Sequence, residues 1–188
     1  MLFRSIEILI NWSACYPQSG GRMLKDIAQE MGCDQRTAAA KLMPGGASYF
    51  QIDERDMRSI LAHPACMIGT DGLPADPRPH PRLWGTFPRV LGRYVRELKL
   101  FSLAAAVHKM TGLAADRFRL SDRGRVAVGL AADLVVFDPD NVNDRATFEE
   151  PCRISRGIAC VIVNGEIAWR EGEPCGARRG RFLQRAAS

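Results

Sequence analysis

The apolar residues change their spacing once along the chain, near residue 122, and that change bounds the fold. Upstream they recur at helical intervals or in continuous runs, whereas beyond Gly124 they fall into short β-type stretches. Such a layout predicts an α/β part, residues 1–122, followed by a β part, residues 123–188. A length of 188 residues is enough to bury a genuine core in one ordinary domain, or in one plus a small appendage. It falls short of the about 250 residues of a complete (β/α)8 barrel. Hydrophobic residues at 46% and charged residues at 25% belong to a globular chain rather than a disordered one.

Within the α/β part, Ile6–Trp12 reads as a strand. Leu24, Ile27, Ala28 and Met31 fall at helical spacing, and Gly32 stops that helix. Asp34 is placed to cap a second helix running towards Leu42, which Pro44-Gly45-Gly46 ends. Ser48–Ile52 reads as a strand, and Asp53 opens a helix with Met57, Ile60 and Leu61 as its buried face. Ala65–Thr70 is apolar without alternation, which predicts a strand buried on both faces of a parallel sheet. A proline-rich loop covers residues 73–85. Phe87, Val90, Leu91, Tyr94, Val95 and Leu98 then mark the strongest amphipathic helix. A further helix carries Leu103, Val107 and Met110, with Thr111 capping a short third. In the β part, Val126–Val128 and Asp133–Asp138 read as strands. Val161–Trp169 reads as a hairpin turning at Asn164-Gly165.

Several function classes are excluded or weakened by composition. No stretch reaches the roughly 18 apolar residues of a membrane span, and Arg4 and Glu7 break the apolar start, so neither membrane nor signal peptide is expected. The six cysteines contain no C-x-x-C pair and read as reduced thiols of a cytoplasmic protein. Lys and Arg number 26 against 21 Asp and Glu, and Arg178, Arg179, Arg181 and Arg185 cluster near the end. Without interleaved aromatic residues these read as a solvated tail rather than a nucleic-acid site. His63, His80 and His108 form no H-x-H or H-x-x-x-H pair, so no metal ligand is assigned in this chain.

Two positions stand out as candidates for chemistry. Asp71, at the end of the apolar run and beside the permissive Gly72, is either an active-site carboxylate at the end of a buried strand or a turn-capping residue. Arg82 follows His80 in Pro79-His80-Pro81-Arg82, where the flanking prolines stiffen the loop. It is placed either to clamp a carboxylate through two hydrogen bonds or to make a structural salt bridge. His63 ends a helix, and His108 lies within one; neither is read as a ligand.

Longer stretches go beyond pattern. Met67-Ile68-Gly69-Thr70-Asp71-Gly72-Leu73-Pro74 and Pro79-His80-Pro81-Arg82-Leu83-Trp84-Gly85-Thr86-Phe87-Pro88-Arg89-Val90-Leu91-Gly92 resemble the last barrel strand and following loop of N-acyl-D-amino-acid deacylases, or D-aminoacylases. These belong to the metal-dependent amidohydrolase superfamily. Gly124, Gly129–Asp138 and Val161–Gly165 resemble its closing segment, and the likeness extends upstream through Gly21-Arg22 and Asp53-Glu54. The resemblance implies that residues 1–122 are the C-terminal portion of a catalytic (β/α)8 amidohydrolase barrel. Residues 123–188 would then be the C-terminal strands of a small β-sandwich with a basic tail. It implies hydrolysis of an N-acyl-D-amino acid, a small-molecule substrate, to a carboxylate and a free D-amino acid by zinc-activated water. Asp71 would take the proton of the attacking water and pass it to the leaving amine. Arg82 would clamp the substrate's carboxylate, with Gly72 permitting close approach and His80 ordering the loop.

The family draws its zinc ligands from an H-x-H pair and further residues upstream of the matched region, and this chain has no H-x-H. The chain is therefore expected to be an incomplete piece, inactive alone, with an unpaired barrel edge that favours marginal stability, self-association or completion by an upstream polypeptide. The alternative is a non-catalytic remnant or partner-binding fragment of an amidohydrolase.

Overall fold

Asp34 shows how local chemistry begins the fold. Its Oδ1 accepts the Thr37 N–H at 2.9 Å and its Oδ2 accepts the Thr37 hydroxyl at 3.0 Å, starting a helix at the next residue. These hydrogen bonds to the ionised form hold the Asp34 carboxyl below the ordinary range. The computed structural model describes residues 7–73, 76–176 and 178–184; Ile6, Pro74 and Arg185 of the sequence readings lie outside them. The chain divides into two units. The first comprises the described residues within 1–57, 71–83 and 146–153, the second those within 58–70, 84–145 and 154–188.

The first unit is built on a three-stranded antiparallel sheet with β1 (Glu7–Ser13) between β2 (Arg22–Met23) and β3 (Gly45–Phe50). Leu9 pairs with Met23 on one side and Ser48 on the other, and a bulge interrupts the β1–β3 ladder between Ile10 and Trp12. Helices α1 (Leu24–Glu30) and α2 (Gln35–Leu42) supply Leu24, Ile27, Ala28, Ala38 and Leu42, which bury together with Ile10 as the core. The helical spacing read from residues 24–31 thus points inward as expected.

The chain passes between the units in α3 (Glu54–Ala62) and in α4 (Arg82–Arg89). In the second unit α4 runs directly into a π-helical stretch, Val90–Glu97, whose wide turn shows in the Leu98 N–H bonded to the Arg93 carbonyl at 2.8 Å. Pro88 has no N–H to offer the Trp84 carbonyl, which accepts the Ser155 hydroxyl at 3.4 Å. Then come α5 (Leu103–Met110), capped by the Ser102 hydroxyl on the Ala105 N–H at 3.2 Å, and α6 (Gly112–Phe118). A four-stranded antiparallel sheet follows in chain order: β4 (Leu134–Phe137), β5 (Ile158–Val163), β6 (Glu166–Arg170) and β7 (Glu173–Pro174). The β5–β6 turn has Asn164 at φ 49° and Gly165 at φ 82°, the pair of left-handed residues that a two-residue hairpin loop demands.

Gly157 marks the tightest approach in this second unit. Its φ is +78°, and a Cβ there would lie 2.5 Å from both the Cα and the N of Val142, a fully buried residue. Gly157→Ala is expected to cost at least about 2 kcal/mol, combining left-handed strain with a backbone collision. Urea unfolding measures this; a loss within about 0.5 kcal/mol of zero, as for an ordinary surface site, would contradict it.

Four sequence expectations are corrected. Ala65–Thr70 is not a strand, and among the described residues every strand pair is antiparallel rather than parallel. The backbone groups of the run are engaged elsewhere. The buried Lys109 ammonium on α5 donates to the His63 and Cys66 carbonyls at 2.5 and 3.3 Å, and the Ile68 N–H donates to the Lys109 carbonyl at 3.3 Å. Val126–Val128 is not a strand either; Val126 and Val128 are fully exposed and the chain turns at Gly129 with φ +88°. Helix α3 forms, but it buries none of its residues and leaves Ile60 exposed. The Phe87–Leu98 stripe buries Val90, Leu91 and Tyr94 but exposes Phe87, in α4 before the π-helical stretch, and Leu98, just past its end. Among the described residues no helix is long and apolar enough to cross a membrane.

Candidate active site

The sequence-selected residues Asp71, Gly72, His80 and Arg82 all lie in the first unit. Asp71 adopts φ 46°, a left-handed conformation that a short polar side chain tolerates. Its carboxylate Oδ2 accepts Arg82 Nη2–H at 2.7 Å, and its backbone carbonyl accepts Arg82 Nε–H at 3.0 Å. One guanidinium edge therefore reads both the side chain and the main chain of the aspartate. Both side chains are open to water, 88% exposed for Asp71 and 44% for Arg82, so the pair contributes little to stability. Gly72 lies against Leu83: a Cβ at position 72 would sit 2.4 Å from Leu83 Cδ1 and 2.6 Å from Leu83 Cβ. Any side chain there would push residues 71–72 away from residues 82–83.

His80 sits where the loop becomes helix α4. Its carbonyl accepts the Leu83 N–H and its Nδ1 accepts the Arg82 N–H, both at 3.0 Å. Two N–H groups that the helix start would otherwise leave unpaired are thereby satisfied. The imidazole meets Phe148 edge-on, with centroids 5.0 Å apart, and Phe148 meets Phe50 in the same way at 4.8 Å. Burial, and then the neighbouring Arg82 charge, hold the His80 pKa below the ordinary histidine value, while Asp71 opposes the shift. The ring is accordingly neutral at pH 7, and its Nδ1 lone pair is free to accept.

Two participants carried no sequence signal. Arg78 Nη2 donates to the Phe148 and Glu149 carbonyls at 3.0 and 2.9 Å, and its Nε donates to the Phe148 carbonyl at 3.3 Å. Its guanidinium lies over Gly21, where a Cβ would come within 2.8 Å of Cζ. Arg78 and Phe148 are 70 residues apart in the chain, and no spacing rule connects them.

The remaining candidates lie elsewhere. His63 and His108 are exposed residues of the second unit, and all six cysteines are unpaired. Among the described residues no group of three or more His, Cys, Asp or Glu is arranged to hold a metal ion. The donors present therefore do not fit a zinc site. What the cluster does offer is a carboxylate able to take up and release a proton, beside a guanidinium already engaging a carboxylate through a directed hydrogen bond.

Comparison with known proteins gives the chain its relatives. The profile of the Amidohydrolase family matches residues 25–168. An N-acyl-D-glutamate deacylase of Alcaligenes xylosoxydans xylosoxydans is 54% identical over 182 residues, covering 97% of this chain and 37% of that protein. A D-aminoacylase of the same organism is 52% identical over 180 residues, covering 96% of this chain and 37% of its own length. The crystal structure of N-acyl-D-glutamate deacylase from Bordetella bronchiseptica, complexed with zinc and a phosphonate that mimics the tetrahedral intermediate, superposes with a TM-score of 0.91 at 52% identity. That match covers 97% of this chain and 38% of the solved one. The chain thus spans somewhat over a third of the length of these relatives, one of which is solved with zinc. Mixed α/β in structure and matched by the family profile through most of its length, this chain belongs to the amidohydrolase family.

Proposed function

We propose that the chain is the C-terminal portion of an N-acyl-D-amino-acid deacylase. The reaction is hydrolysis of the amide bond to a carboxylate and a free D-amino acid. In this reading residues 1–122 belong to the catalytic (β/α)8 barrel, and residues 123–188 are the closing strands of a small β-sandwich with its basic tail. Asp71 is the proton-transfer group, taking a proton from the attacking water and delivering it to the departing amine nitrogen. Arg82 binds the substrate's carboxylate, Gly72 keeps the backbone close beside it, and His80 orders the loop next to them. The metal-binding residues belong to the part of the enzyme this chain does not span, and neither role assigned here passes through them. The six unpaired cysteines suit the reducing cytoplasm.

One observation carries the proposal: the Arg82 guanidinium already holds a carboxylate, that of Asp71, at 2.7 Å. A substrate carboxylate presents the same two oxygens and the same charge, so the fork needs only to exchange one partner for another. That exchange also frees Asp71 for proton transfer.

A hybrid enzyme tests the reading. This chain replaces the matched segment of the Alcaligenes N-acyl-D-glutamate deacylase, and release of free D-amino acid is followed with N-acetyl-D-glutamate and N-acetyl-D-methionine in the presence of zinc. The hybrid is expected to turn over at least one of them, while the chain alone releases none. A folded, zinc-loaded hybrid without turnover would refute the proposal.

A further inference from the structure

The reading of Arg82 as a carboxylate clamp leaves open what holds the clamp in place. An arginine side chain is long and rotamer-rich, so a directed guanidinium depends on a fixed backbone at its root. We propose that His80 is the positioning residue that fixes Arg82, and that Phe148 locks His80; neither touches the substrate. This rests on the clamp reading.

The geometry supports each link. The Arg82 N–H lies at the start of α4, where no intrahelical carbonyl can receive it, and the acceptor it finds is His80 Nδ1 at 3.0 Å. Pro79 and Pro81 flank the histidine, fixing φ on either side and donating no N–H of their own. The ring is prevented from swinging away by the edge-on Phe148, which is itself packed on Phe50. Phe148 acts twice, because its carbonyl and that of Glu149 also receive Arg78. One short segment of residues 146–153 therefore holds the loop at two points, at Arg78 through main chain and at His80 through the Phe148 side chain. His80 must be neutral to accept at Nδ1, and its burial beside Arg82 favours that form. Asp71 and Arg82 are the charged groups facing the ring, whereas Phe148 contributes none.

A pair of polar replacements separates positioning from bulk structure. In His80→Asn the amide oxygen occupies the Nδ1 position and keeps the acceptor; in His80→Gln it reaches the Nε2 position and loses it. In the chain itself, amide hydrogen exchange by NMR at pH 7 is expected to show a protected Arg82 N–H in wild type and His80→Asn. Exchange at least about tenfold faster is expected in His80→Gln. In the hybrid, His80→Gln is expected to raise KM for N-acetyl-D-methionine by about tenfold with kcat within about threefold, and His80→Asn to recover most of that loss. N-acetyl-D-methioninamide, which has no carboxylate, should report no difference between the two variants. An unprotected Arg82 N–H in wild type, or equal exchange and equal KM in the two variants, would overturn the inference. An inactive wild-type hybrid would instead count against the deacylase reading, and the exchange measurement would still decide the role of His80.

Discussion

Asp71→Asn is expected to lower kcat of the hybrid deacylase by about 10²–10⁴-fold, the range in which a positioned acid/base group contributes. The substitution removes basicity and little else. Asparagine tolerates the left-handed φ of 46° found at this position, so the turn survives. Its amide oxygen still accepts from Arg82 Nη2, and the backbone carbonyl that receives Arg82 Nε is unchanged. With the site intact, KM should move by less than about threefold, and the loss should appear in kcat. Release of free D-amino acid under saturating substrate measures it. A reduction smaller than about threefold would remove Asp71 from the proton-transfer role and return it to the turn-capping alternative that the sequence left open.

Arg82→Lys should be the next largest effect, lowering kcat/KM for the N-acyl-D-amino acid on the order of 10²-fold, chiefly through KM. Charge is conserved in this change, but the planar fork is not. Arg82 makes two directed bonds from different nitrogens, Nε at 3.0 Å and Nη2 at 2.7 Å, and an ammonium cannot span both. Ground state and transition state carry the same carboxylate, so losing its partner weakens both and leaves kcat the less affected parameter. The carboxamide substrate serves as the internal control, since its rate should respond little. Equal losses for the acid and the carboxamide would mean that Arg82 supports the fold of the loop rather than recognising the substrate.

Much of this molecule was legible from neighbouring residues alone. The Asp34 cap, the Asn164-Gly165 turn and the inward face of α1 each depend on hydrogen bonds or spacings within a few positions, and each is formed as the sequence predicts. Asp71, Gly72, His80 and Arg82 were visible because two short motifs carry them, and the structure joins them through hydrogen bonds between residues 2 and 11 positions apart. The failures share the opposite property. The apolar run at 65–70 looked like a strand, but strand formation needs a partner, and an α5 lysine takes carbonyls at its start. The stripe through residues 87–98 was helical as read, yet nothing in its spacing marked the π winding of residues 90–97.

By itself the sequence determined where α1, α2 and the Asn164-Gly165 turn begin, which residues are candidates for chemistry, and the family to which they belong, because those depend on short-range bonding and on motif identity. Only the tertiary structure decided that Arg78 and Phe148 brace the loop bearing Arg82, that the sheets are antiparallel, and that Lys109 occupies the carbonyls next to a would-be strand. Those contacts join residues tens of positions apart, and their free energy exists only once the chain has brought both partners together.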